Sequence, residues 1–225
     1  MKFSLFFLVF LVCFAHCSKS QEDTSVNEKP VVETSKPVIL FFGDSLTEGL
    51  GLASREESYP SIIGQMLKEK KLDWEIKNAG LSGDTTSSGL ARLDWVLEQD
   101  FEVFILELGA NDMMRGIAPD VIEKNLQTII QKVRKKNPKA SILLIPMKPF
   151  PNMGFQYGKK FEAVYTNVSK KEKVPLAKFL LEGVAGVKEL NQRDGVHPTK
   201  EGHLLMAKNI FEDVVKILPK KNYTK

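Results

Sequence analysis

Val38-Ile39-Leu40-Phe41-Phe42-Gly43-Asp44-Ser45-Leu46-Thr47-Glu48-Gly49 is the stretch from which the fold can be read. Five apolar residues in succession predict a strand buried on both faces, as in a parallel sheet. The run stops at a glycine, an acid and a hydroxyl residue. Gly43 suits a sharp turn where a side chain would clash, and Ser45 then falls just past the strand's carboxyl end. Ligands of open α/β sheets bind at that edge. Ser45 is thus placed as a nucleophile would be, but a serine after a strand also serves as a helix N-cap. This stretch is compatible with both roles.

Downstream, strand and helix patterns alternate. Residues 56–71 contain a helix, with Pro60 suited to its first turn and Ile62, Ile63, Met66 and Leu67 as its apolar stripe. Residues 74–78 alternate as a short strand and run into a glycine loop, 79–86, where Asp84 or Thr85 caps the next helix. Residues 101–108 form a further strand, ending in Gly109-Ala110-Asn111-Asp112. An amphipathic helix over 119–136 and a buried strand over 141–146 follow. A helix over 161–170, a last short strand over 176–179 and a closing helix over 200–218 complete the pattern, with Pro219 as the stop. The alternation predicts one α/β domain over residues 38–218, with a parallel sheet and right-handed crossovers.

Upstream of that domain the chain changes character. Lys2 and the apolar run from Phe3 to Ala15 have the form of an export signal over residues 1–17, too short to span a membrane. Residues 18–37 form a polar linker with little to bury, and residues 219–225 a basic tail. Both cysteines, Cys13 and Cys17, belong to the export segment, so the folded part can form no internal disulfide and use no thiol nucleophile. Cys17 has two readings. It is either the lipid-modified first residue of a bacterial lipoprotein, tethered to a membrane, or incidental to ordinary signal cleavage. His16 stands where a lipoprotein signal usually has a small residue. The expected location is accordingly exported, either periplasmic or anchored to a bacterial membrane.

The 225 residues are 43% hydrophobic and 27% charged, enough for one sizeable core, and the formal charge of +4 is mild. The lysine runs have no interleaved aromatics, which excludes a single-strand nucleic-acid binder. A monomer is expected. No cluster has metal-ligand spacing, and no cofactor is expected.

Three strand ends carry polar residues, at Ser45, Gly83 and Asn111, and a late loop adds Asp194 and His197. In a parallel sheet these ends share one edge, so the groups can converge. Acyl transfer needs this inventory: a hydroxyl nucleophile, a histidine base, a carboxylate to orient it, and donors for an oxyanion. The N–H groups of Ser45 and Gly83 and the Asn111 amide would be those donors. Of three histidines, His16 lies in the export segment and His203 reads as a helix histidine, leaving His197 as the base. The competing reading makes His197 a turn residue capped by Asp194.

Gly43-Asp44-Ser45-Leu46, Gly83, Gly109-Ala110-Asn111-Asp112 and Asp194-Gly195-Val196-His197 occur in the order of the GDSL, or SGNH, hydrolase family. The chain resembles its bacterial branch of thioesterase I/lysophospholipase L1 and arylesterases over residues 37–218. That resemblance implies a three-layer α/β/α flavodoxin-like sandwich with a central parallel sheet. It also implies Ser45, Asp194 and His197 as a catalytic triad, and Ser45, Gly83 and Asn111 as the oxyanion hole. Asp44 and Asp112 are expected to brace loops. Expected substrates are small acyl esters, thioesters or lysophospholipids. Met113, Met114, Ile117, Pro119, Met147 and Phe150 are the expected walls of an acyl site. Carbohydrate or peptidoglycan O-deacetylation on the same triad, and a non-catalytic surface-binding protein, are the alternatives.

Overall fold

A computed structural model describes residues 36–219. The expected export segment with Cys13 and Cys17, most of the expected linker and most of the expected basic tail lie outside the described residues. Four parallel strands, β1 (Val38–Gly43), β2 (Glu75–Gly80), β3 (Val103–Glu107) and β4 (Ser141–Leu144), form one sheet in the order β2-β1-β3-β4. β1 is buried along its whole length and pairs on both sides, Phe41 standing level with Asn78 on one neighbour and Ile105 on the other. The apolar run from Val38 to Phe42 is therefore the centre of the molecule.

The helices are α1 (Ser45–Glu48), α2 (Tyr59–Glu69), α3 (Thr86–Val96), α4 (Ala110–Met114), α5 (Pro119–Lys136), α6 (Phe155–Glu172) and α7 (Lys200–Ile217). The strand order decides which face each covers. From β1 the chain steps one way to β2, and then back the other way to β3 and β4. Right-handed crossovers consequently put α2 on one face and α3 and α5 on the other. α7 packs beside α2, and α6 beside α5, completing a three-layer sandwich. Connections leave β1 and β3 in opposite directions, so a crevice opens between their carboxyl ends. Doubly wound sheets bind ligands at such a switch point.

Three local differences from the sequence reading have plain causes. The expected strand over 176–179 is a single bridge, Leu176 to Leu144. Pro175 has no N–H, and the Lys178 N–H donates to Asp213 of α7 at 2.9 Å, so the ladder cannot extend. α6 begins six residues before the expected start, because Gly154 rather than a polar cap residue introduces it. Ser45 does not cap α1. Asp44 does, its carboxylate accepting the Leu46 N–H at 3.0 Å. Between the two candidate caps of α3, Thr85 serves, in a reciprocal capping box with Ser88.

His203 is a core residue. Its ring stacks on Tyr59, and Nδ1 accepts the Tyr59 N–H at 3.2 Å. Burial holds its pKa down, at about 4. The unfolded chain takes up this proton at higher pH than the folded one. Stability tied to neutral His203 is therefore complete above the ordinary histidine value and lost as pH falls from about 6.5 towards 4, up to about 3 kcal/mol. Urea unfolding between pH 7 and 4 is expected to show this loss, and His203→Gln to flatten it.

Candidate active site

Ser45 is the first residue of α1, directly beyond β1, and only 8% of its surface is exposed. His197 Nε2 lies 2.9 Å from its Oγ. The other ring nitrogen, Nδ1, lies 2.7 Å from Asp194 Oδ2. Asp194 Oδ1 accepts the N–H groups of Val196 and His197 at 2.9 and 3.0 Å. Asp194 thus caps its own turn and holds the imidazole, so the two readings of His197 are one arrangement. Hydrogen bonds from the ring and then from the two amides lower the Asp194 pKa to about 2. An ionised carboxylate at Nδ1 favours the tautomer with its proton there, leaving the Nε2 lone pair for the Ser45 hydroxyl.

The loop that carries this pair is closed on itself. Asn191 bridges Pro198, and the Gln192 N–H donates to the His197 carbonyl at 2.7 Å. The Gln192 side chain donates to the carbonyls of Leu50 and Pro198, tying the loop to the segment after α1. Thr199 then caps α7.

Asn111 sits on α4, just beyond β3, and is likewise buried. Its Nδ2 donates to Asp44 Oδ2 at 3.2 Å, which occupies one of two amide hydrogens and leaves the other for a ligand. Gly83 lies in the loop after β2 at φ +82°, a conformation L side chains rarely adopt. A Cβ there would meet only Arg115 Nη2, at 3.7 Å, so backbone conformation rather than crowding favours glycine. The Ser82 N–H and hydroxyl both bond Glu48 of α1, which ties this loop to the Ser45 turn. Gly83 itself does not line the cavity described next. Asp112 accepts the Thr86 N–H and hydroxyl at 2.7 and 2.6 Å, bracing α3 against α4.

A cavity of about 460 Å³ opens at Ser45, Asn111 and His197. Met113, Met114, Met147, Phe150, Phe179 and Leu181 contribute its apolar wall. Four of the six expected wall residues are among them. Ile117 and Pro119 are not: beyond Met114 the chain turns towards α6, where the Tyr157 hydroxyl donates to the Ile117 carbonyl at 2.8 Å, and Pro119 is buried at the start of α5. Phe179, Leu181 and Lys148 line the cavity without having been expected there. The stretch 176–179 reads as a strand, and only the sheet's early end turns its last residue, Phe179, into a wall. Lys148 is held over the Phe179 ring and paired to Glu182 at 3.0 Å. Among the described residues no group of three His, Cys, Asp or Glu side chains is placed to hold a metal ion.

A doubly wound sheet with a hydroxyl–imidazole–carboxylate chain at its switch point is the arrangement of serine-type acyl hydrolases. The GDSL-like Lipase/Acylhydrolase family model matches residues 41–205, and the chain belongs to that family. It is an ester hydrolase of the SGNH type. The chain is 34% identical to Esterase TesA of Pseudomonas aeruginosa over 187 residues, 83% of this chain and 92% of that one. It is 35% identical to Thioesterase 1/protease 1/lysophospholipase L1 of Escherichia coli K12 over 75% of this chain and 79% of that one. A crystal structure of TesA superposes with a TM-score of 0.76 at 35% identity, covering 80% of this chain and 99% of the other.

Proposed function

We propose that Ser45 is acylated during turnover, with His197 as the base, Asp194 as its orienting carboxylate, and the Ser45 N–H, Gly83 N–H and Asn111 amide as oxyanion donors. The observation that carries this reading is the Ser45–His197–Asp194 chain at 2.9 and 2.7 Å, opening into an apolar cavity. As Ser45 Oγ attacks the acyl carbonyl, its proton passes to His197 Nε2. The carbonyl oxygen becomes an oxyanion facing the donors. Collapse expels the alcohol or thiol, which takes the proton from His197. Water then attacks the acyl-enzyme, giving its proton to His197, and the acid leaves as Ser45 regains a proton.

Substrates are acyl esters or thioesters with a chain longer than acetyl. The cavity volume lies within the roughly 300–1,000 Å³ typical of ligand sites, and its methionine and phenylalanine wall suits a flexible hydrocarbon. Lysophospholipids and acyl thioesters fit this chemistry, and the E. coli relative is named for both activities. Hydrolysis of p-nitrophenyl esters from acetate to palmitate is the test. We expect kcat/KM to rise with chain length beyond acetate. An optimum at acetate would instead support the O-deacetylase reading.

Export is part of the proposal, supported by the apolar run from Phe3 to Ala15. Fractionation of cells producing the full chain, with Cys17→Ser alongside, separates a lipid-anchored from a freely exported protein.

A further inference from the structure

Beneath the Ser45 turn lies a second carboxyl group that the acyl-transfer steps do not use. Glu107, the last residue of β3, has no exposed surface. Its Oε2 accepts the Thr47 hydroxyl at 2.7 Å and the Asp44 N–H at 3.4 Å. Thr47 in turn accepts from the Tyr59 hydroxyl at 2.8 Å. Oε1 is buried without a hydrogen-bond partner. Asp44, equally buried, already accepts from Leu46 and Asn111. The bond from the Asp44 N–H to Oε2 sets the two buried residues side by side beneath the Ser45 turn.

Two neighbouring buried carboxylates are costly to ionise together without a cation to compensate them. The groups that bear on the pair are Tyr59 from α2, Tyr165 from α6, Asp84 from the loop after β2, and His197. Arg92 is committed elsewhere, to Asp84 at 2.6 Å and to the carbonyls of Gly43 and Ala79. The Oε1 atom of Glu107 is buried with no donor to stabilise a negative charge on it, so a proton there removes the cost of burying that charge.

We propose that Glu107 is a positioning residue held as the neutral acid, so that Asp44 beside it stays the anionic acceptor that fixes both the Ser45 turn and the Asn111 amide. This rests on the reading of Asn111 as an oxyanion donor. Burial raises both groups, Glu107 well above the carboxylate range and Asp44 to about 6, which agrees with a neutral Glu107 beside an ionised Asp44 at pH 7. One face of the arrangement thus carries a single negative charge, and that charge is spent on hydrogen bonds that orient the site.

Glu107→Gln keeps a neutral donor and acceptor of the same shape, whereas Glu107→Ala removes both. We expect Glu107→Gln to retain kcat within about threefold, and Glu107→Ala to lose about 10- to 100-fold in kcat with little change in KM, the scale of a misplaced catalytic group. A direct readout does not depend on turnover. The infrared spectrum of the wild-type protein at pH 7 should contain the carbonyl stretch of a protonated carboxylic acid, absent from Glu107→Gln. No such band, or equal loss of kcat in the Gln and Ala variants when both are folded by circular dichroism, would overturn the proposal. Full activity in Glu107→Ala would do the same. If Ser45→Ala kept its activity, the triad reading would fail, while the infrared band would still report on the Glu107 proton.

Discussion

Ser45→Ala is expected to lower kcat for ester hydrolysis by roughly 10⁴- to 10⁶-fold, about 5 to 8 kcal/mol of transition-state stabilisation. In the proposed mechanism the serine oxygen is the atom that forms the covalent bond, and alanine supplies nothing to replace it. His197→Ala should cost a similar factor. The double variant should cost little more, because members of such a chain act as a unit. Asp194→Ala should cost less, about 10²- to 10⁴-fold. Its side chain is 47% exposed, so water can take up part of its role at His197 Nδ1. Active-site titration and steady-state kinetics on a p-nitrophenyl ester measure all four. Residual rates in Ser45→Ala within tenfold of wild type would remove Ser45 from the mechanism.

Gly80→Ala should produce a large loss of stability. Gly80 ends β2 against α1, and a Cβ there would collide with backbone alone: the Glu48 nitrogen, its Cα at 2.7 Å and the Thr47 carbonyl carbon at 2.7 Å. No side chain can rotate away, so α1 must move, and Ser45 sits at its start. The expected cost is about 3 kcal/mol or more, a fall in Tm of roughly 6–12 °C for a domain of this size. A drop in kcat should accompany it. Gly158→Ala is the contrast. It lies within α6, and its added Cβ would meet only Pro149, at 3.5 and 3.7 Å. That change should stabilise by about 0.5–1 kcal/mol. Thermal unfolding of both variants separates close backbone approach from helix propensity. An unchanged Tm in Gly80→Ala would mean that α1 is free to shift.

The convergence of Ser45, His197 and Asp194 was legible in the sequence because the candidate site rests on residue types at strand ends. A buried apolar run, a glycine and a serine can be read without knowing the strand's neighbours. With His16 in the apolar segment that reads as an export signal, the candidate base narrowed to His197 and His203, and the helical pattern around His203 separated them. The elements were legible where periodicity was strong, as at α5, whose bounds agree at both ends. They were not where local composition was ambiguous. Phe155 begins α6 without a polar cap, and the 176–179 stretch reads as a strand but follows Pro175 and is bonded by Asp213.

What the sequence by itself determined is the α/β class, the central strand, and which polar residues stand at the strand ends and in the late loop that the fold brings to one edge. These follow from short-range pattern and from the chemistry that each side chain carries. Only the tertiary structure decided that Asp44, not Ser45, caps α1, that Phe179 and Leu181 line the cavity while Ile117 does not, and that Glu107 lies beside Asp44. In sequence Glu107 is one polar residue in an apolar strand, 63 positions from Asp44. The pairing of β1 with β3 sets Glu107 level with Gly43, beside Asp44. Contacts between strands are set by register and strand order, and neither is written in the residues of one strand alone.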